Sequence, residues 1–218
     1  AEIEVLCALI AEDTASPTNH INSKIALLRH YMLDDKWTYR VAAMNVAIEK
    51  FSPETLQALE PDLMLQLHHD ERQVIAAAVR GLGQLNTSST CELLARHATD
   101  PQSPIRLEAL TGLGLHKDKR KVPLLKPMLK DPVPSVREQA CRALKNTPDK
   151  SIVPALIDRI GDDNYAVRRA ACDVLGSWTG EPIECFDPYD KTKPLRFYVG
   201  KWQRWWRKNE STIRLREP

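Results

Sequence analysis

Apolar and polar positions along this chain follow two nested periods. Within a segment, apolar residues fall at i, i+3, i+4 and i+7, the spacing of one helix face. Between segments the pattern returns after 31 residues. Asp100, Asp131 and Asp162 stand 31 apart, and each is followed by an apolar–arginine pair: Ile105-Arg106, Val136-Arg137 and Val167-Arg168. Ala109, Ala140 and Ala171 keep the phase, as do Leu113, Leu144 and Leu175. One period earlier come Val74, Ala78 and Leu82, with Ile75 in place of the arginine. A looser unit precedes these, carrying Ile25, Leu28 and Met32, then Tyr39, Arg40 and Ala43, at a spacing of 35.

Each unit predicts two helices. The first carries residues such as Val122, Leu125, Met128 and Leu129, the second Val136, Ala140, Ala143 and Leu144. A short turn such as Asp100-Pro101-Gln102-Ser103-Pro104 separates them. Ser103 before Pro104 has the form of an N-cap with proline at the first helical position. Gly83, Gly114 and Gly176 follow the last apolar residue of their second helices and are expected to stop them. Alanine at 78, 109, 140 and 171 leaves room for close helix pairing.

The motif Asp-x-x-x-x-[Val/Ile]-Arg-x-x-Ala-x-x-x-Leu-Gly resembles the HEAT repeat, in the short bacterial form also called phycobilisome-lyase-like. The resemblance covers residues 21–180 and adds residues 2–12 as a capping helix. It implies an all-α, right-handed α-solenoid of about five helix pairs, with units near 21–51, 57–87, 88–118, 119–149 and 150–180 in an array over 1–180. First helices would line the convex face and second helices the concave one. It also implies that Asp100, Asp131 and Asp162 with Arg106, Arg137 and Arg168 form a ladder from repeat to repeat. The repetition itself points the same way, since packing needs such a pair in every unit and catalysis needs it once.

After Gly176 the repeat dissolves. Trp202, Trp205 and Trp206 lie at i, i+3 and i+4 and share one helix face. The Thr-Gly, the loop Phe186-Asp187-Pro188-Tyr189 and this Trp-x-x-Trp-Trp resemble a tail of bacterial HEAT-like proteins, where it caps the array. A solenoid's last repeat exposes an apolar flank that needs such a cover. Residues 181–218 are therefore expected to form a cap, with Trp202, Trp205 and Trp206 packed near Leu175 and Trp178.

Composition narrows the function more than it names it. The chain has 218 residues, 43% hydrophobic and 28% charged, with a net charge of +2. Its longest apolar run, residues 5–11, is far short of a membrane span, which takes roughly 20 residues. The chain begins at Ala1, as a processed protein or a piece of a longer one would. The five cysteines, Cys7, Cys91, Cys141, Cys172 and Cys185, form no C-x-x-C pair. Cys91, Cys141 and Cys172 fall at apolar positions and are expected to be buried free thiols, consistent with a reducing, cytoplasmic setting; partial disulfide pairing after export is the alternative. Positive charge concentrates in residues 186–218, at net +5. No H-E-x-x-H, G-x-S-x-G or Walker motif occurs, and His68-His69-Asp70-Glu71 reads as a turn rather than a metal face.

The expectation is a non-enzymatic protein–protein interaction scaffold with no cofactor and no metal. Its partner-binding residues would be Arg80, Glu108, Glu138, Arg142, Arg169 and Asp173 on the concave face. The mixed charge of that row suits a protein ligand, whereas a nucleic-acid groove runs basic throughout. Two alternatives stand beside it: an accessory lyase or chaperone for a tetrapyrrole-bearing protein, and a nucleic-acid binder using the basic Trp-rich tail.

Overall fold

Two units make up the chain, Ala1–Thr90 and Cys91–Pro218. The computed structural model describes residues 19–85, 87–182, 184–185 and 193–217 of them. The expected helix over residues 2–12, Cys7 and the loop from Phe186 to Tyr189 lie outside the described residues. All described elements are helical, with no strand among the described residues.

In the first unit α1 (Asn19–Met32) pairs with α2 (Trp37–Lys50). The next first helix is broken into α3 (Pro53–Leu56), a 3-10 turn (Gln57–Leu59) and α4 (Glu60–Gln66), and it pairs with α5 (Arg72–Gly83). The break has a local cause. Pro61 has no N–H to give the Gln57 carbonyl, and its ring crowds that oxygen, so the preceding turn tightens. Ser52 starts α3 by accepting the Thr55 N–H, with Pro53 beside it in the first turn. Leu28, Met32, Met44, Leu56, Leu59, Leu63, Val74 and Leu82 form the core, each essentially inaccessible to solvent.

α6 (Ser88–His97) starts at the end of the first unit and runs into the second. There follow α7 (Ser103–Leu115), α8 (Lys121–Leu125), a 3-10 turn (Pro127–Lys130), α9 (Pro134–Leu144), a 3-10 turn (Lys150–Ile152), α10 (Val153–Arg159), α11 (Tyr165–Thr179) and α12 (Leu195–Asn209). The second helices α7, α9 and α11 stack in chain order, and α10 packs between α11 and α12. Pro127 shortens α8 as Pro61 shortens its counterpart, here against the Pro123 carbonyl.

Two local expectations are corrected. Ser103 is not a cap. The N-cap is Gln102, without a side-chain bond, and the turn is held by Asp100 Oδ1, which accepts the Gln102 N–H at 2.8 Å. Nor does every glycine stop its helix. Gly83 ends α5, but α7 runs past Gly114 and α11 past Gly176 to Thr179. α11 stops at Gly180, the described residue with positive φ (67°), whose N–H returns to the Gly176 carbonyl at 2.8 Å.

Candidate protein-binding face and its supports

The turn between first and second helices is built the same way four times. Asp34, Asp100, Asp131 and Asp162 each accept through Oδ1 the N–H two residues on, at 2.8–3.0 Å. The arginine six residues later donates back to the same aspartate's carbonyl. Arg40, Arg106, Arg137 and Arg168 do so at 2.6, 2.7, 2.9 and 2.8 Å. The rest of the guanidinium reaches forward. Arg106 meets Asp131 at 2.9 and 3.0 Å, and Arg137 grips Asp162 at 2.8 and 2.9 Å. The carboxylate each of these arginines binds thus belongs to the next unit, not to its own turn. In the first unit Gln66 Oε1 stands in for the carboxylate, accepting from Arg40 at 3.1 Å.

These pairs are buried, with Asp162 at 2% side-chain exposure and Arg137 at 10%. Burial alone would raise the Asp162 pKa. The Arg137 guanidinium and the Asn164 N–H outweigh it and hold the carboxyl below its ordinary value. The Asp162 hydrogen bond in turn raises the Arg137 pKa.

A further buried charge lies outside the ladder. Lys121 is wholly buried, and its Nζ donates to the Leu113 carbonyl at 2.6 Å and to the His116 carbonyl, at the C-terminus of α7. Burial lowers its pKa to about 8. Burial, then the Lys121 charge, lowers the pKa of His116. The 31-residue phase could have pointed to it, because Lys121 aligns with Thr90 and Ile152, both buried. Thr90 does the same work one unit earlier, its Oγ1 donating to the Leu85 carbonyl at 2.5 Å.

On the second helices of the second unit, Arg142, Arg169 and Asp173 are exposed, while Glu108 and Glu138 are half-buried. Arg142 pairs with Glu138 at 2.7 Å. Arg169 and Asp173 have the same i,i+4 spacing but do not pair among the described residues, so both present open charge. Arg80 lies in the first unit, where it donates to Asn45 at 3.2 Å. His69 Nδ1 accepts the Glu71 N–H at 2.9 Å in a turn, and among the described residues no cluster of side chains could hold a metal.

At the chain's end Trp178 and Trp202 are fully buried and Trp206 nearly so, while Trp205 is half-buried. α12 rests on α10, the first helix of the last pair, and Val199 approaches Gly161 closely enough that a Cβ there would meet it at 3.1 Å. Trp178 Nε1 donates to the Lys145 carbonyl at 2.8 Å, and the Trp178 carbonyl accepts the Arg216 N–H at 2.7 Å. The cysteines need a correction. Cys91 and Cys141 are buried and free, and burial pushes the Cys141 thiol up to about 12. Cys172, however, is half-buried and disulfide-bonded to Cys185, with Cα atoms 5.8 Å apart. Its counterpart Cys141 is covered because α11 packs on α9. α11 is the last second helix, so the flank at Cys172 is left for the segment after Gly180 to cover.

Paired helices, a periodic turn clamp and sealed helix ends define an all-α repeat solenoid. The family description "HEAT repeats" matches residues 59–136 and 127–185, and the chain belongs to that family. No curated protein matches the sequence. Among solved structures, the complex of CpcE and CpcF of phycocyanin lyase from Nostoc sp. PCC7120 aligns with TM-score 0.65 and 19% identity, over 79% of this chain and 69% of that one. A designed armadillo repeat protein in complex with the peptide (KR)4 aligns with TM-score 0.59 and 16% identity, over 79% and 90%. The archaeal HEAT-like repeats protein from Thermococcus onnurineus NA1 aligns with TM-score 0.57 and 16% identity, over 93% and 91%. The fold is one typical of protein-interaction scaffolds. Among the described residues no helix is long and apolar enough to cross a membrane.

Proposed function

We propose that this protein is a non-enzymatic interaction scaffold whose protein partner docks on the second-helix face of the second unit. The residues in contact would be Glu108, Glu138, Arg142, Arg169 and Asp173. The observation that carries the reading is the open, mixed charge of Arg169 and Asp173 beside the Glu138–Arg142 pair. Opposite charges one turn apart set the orientation and register of a partner, and exposed ones do so at little desolvation cost. Arg80, in the first unit, donates to Asn45 at 3.2 Å. The ladder residues are assigned to structure in this reading, because Arg106 with Asp131 and Arg137 with Asp162 bind one another within the array.

The test is affinity capture followed by titration of the captured partner. Reversing Arg142 and Arg169 to glutamate is expected to weaken binding at least tenfold with the helical signal unchanged. Unaltered affinity would reject the second-helix face. The likeness to CpcE and CpcF favours a second reading, an accessory lyase or chaperone for a tetrapyrrole-bearing protein. Transfer of a bilin to an apoprotein in the presence of this chain, absent without it, would replace the scaffold reading.

A further inference from the structure

A different surface of the second unit holds two adjoining grooves. Pro127 stops α8 after Leu125, and the chain continues as the 3-10 turn Pro127–Lys130, facing α10 across a gap. Small side chains, Ala155 and Ser151, line the facing side and leave that gap unfilled. The result is a groove of about 410 Å³ floored by Pro123, Pro127, Leu129, Pro154 and Ala155. A second groove of about 320 Å³ lies on the other flank of α10, walled by Ile157, Trp206 and Arg207. The two adjoin at Pro154 and Asp158, which line both.

Charge gives this channel a sense. Lys126 and Lys130, one turn apart on the rim, are exposed and have no carboxylate partner among the described residues. Arg207 at the far end bonds to the Gln203 carbonyl and to no carboxylate. Arg159 is already engaged, with Asp162 at 3.2 Å and the Leu129 carbonyl at 3.0 Å. The open charge is therefore three cations around one central carboxylate, Asp158.

We propose that this first-helix channel binds an extended acidic peptide segment of a protein partner, with one aliphatic side chain seated on the proline floor between Lys126 and Lys130. Acidic side chains meet Lys126, Lys130 and Arg207, while the peptide's own N–H groups face Asp158. An extended peptide supplies both acidic groups and backbone donors. A phosphodiester backbone supplies charge but no donor, and Asp158 would repel it at the centre. The combined volume falls within the range of ligand clefts, about 300–1,000 Å³.

The test is fluorescence anisotropy of a fluorescein-tagged octapeptide of six acidic residues and two leucines, in about 50 mM salt where exposed charges still act over more than 10 Å. Saturable binding is expected. The double variant Lys126→Glu/Lys130→Glu should weaken it at least tenfold, and Ala155→Leu, which fills the floor, should weaken it without any change of charge. Arg142→Glu/Arg169→Glu should leave it unaltered, which separates this site from the second-helix face. Three results would overturn the proposal: no binding at about 1 mM peptide, the weakest affinity worth assigning to a site; equal binding by the Lys126/Lys130 variant, with its fold intact by circular dichroism; or tighter binding of single-stranded oligothymidylate that displaces the peptide.

Discussion

Replacing Arg137 by methionine isolates what the ladder contributes. The guanidinium makes two charge-assisted bonds to Asp162 and one to Asp163, and it donates to the carbonyls of Asp131 and Pro132. Methionine keeps most of the stem's packing and removes every donor. Asp162 keeps the Asn164 N–H and a contact from Arg159 at 3.2 Å, but it stays buried at 2% side-chain exposure. Bonds to charged groups contribute about 1.5–3 kcal/mol each. A buried pair broken on one side costs about 3–5 kcal/mol. Because Arg159 remains, the lower end applies, and Arg137→Met is expected to cost about 3 kcal/mol in urea unfolding at neutral pH. The fold holds the Asp162 carboxyl below its ordinary pKa. Its contribution is therefore complete above about pH 4 and is lost as pH falls through the depressed folded value. In Arg137→Met that acid loss should shrink, because nothing comparable holds the proton off. Asp162→Asn alone should also destabilise, and a double-mutant cycle should return a coupling of about 1–3 kcal/mol. Additive single effects, or a loss below about 1 kcal/mol, would refute the reasoning.

Three further outcomes follow from the same geometry. Lys121 gives up its proton near pH 8 when folded and near 10.5 when unfolded; the unfolded chain thus binds more protons in that window, and stability should rise across it by about 2–3 kcal/mol, a rise absent in Lys121→Met when both are followed by urea titration. Trp202→Ala should cost about 3–5 kcal/mol in thermal or chemical unfolding, since the indole is fully buried. Gly180→Ala should lower stability by at least about 1 kcal/mol, because an L-residue there takes a left-handed conformation and its Cβ would collide with the Arg216 guanidinium.

The helix pairs were legible because burial in a solenoid repeats: the same position meets the same neighbour in each unit, so Ala109, Ala140 and Ala171 declare themselves by phase. The turn aspartates were legible for that reason too. The direction of the Arg–Asp pairing was not, since spacing alone cannot say whether Arg106 turns to Asp100 or to Asp131. The broken first helices were missed because apolar period carries no account of the missing N–H at Pro61 and Pro127. Glycine alone does not mark a helix end, because the left-handed stop requires positive φ; Gly176 stays helical and Gly180 does not. Cys172 was misread because its counterpart Cys141 is covered by a following helix, and the last unit has none. The charges of Arg169 and Asp173 were visible, but their failure to pair depends on rotamers that no sequence pattern specifies.

The side-chain seal at the ends of three second helices, α5, α7 and α9, has a consequence for modular engineering. The same junction is closed by a hydroxyl in one place, an ammonium in the next and an indole after that: Thr90 to the Leu85 carbonyl, Lys121 to those of Leu113 and His116, Trp178 to that of Lys145. Each reaches its carbonyl with a side chain of different length, and of the three the ammonium is the one that titrates, near pH 8. A unit transplanted to another slot would carry the common turn with it but arrive with a closure cut for other carbonyls. Inserting, deleting or permuting repeats in this chain therefore requires redesign of the residue that closes each junction, and lengthening the array is not a matter of copying 31 residues.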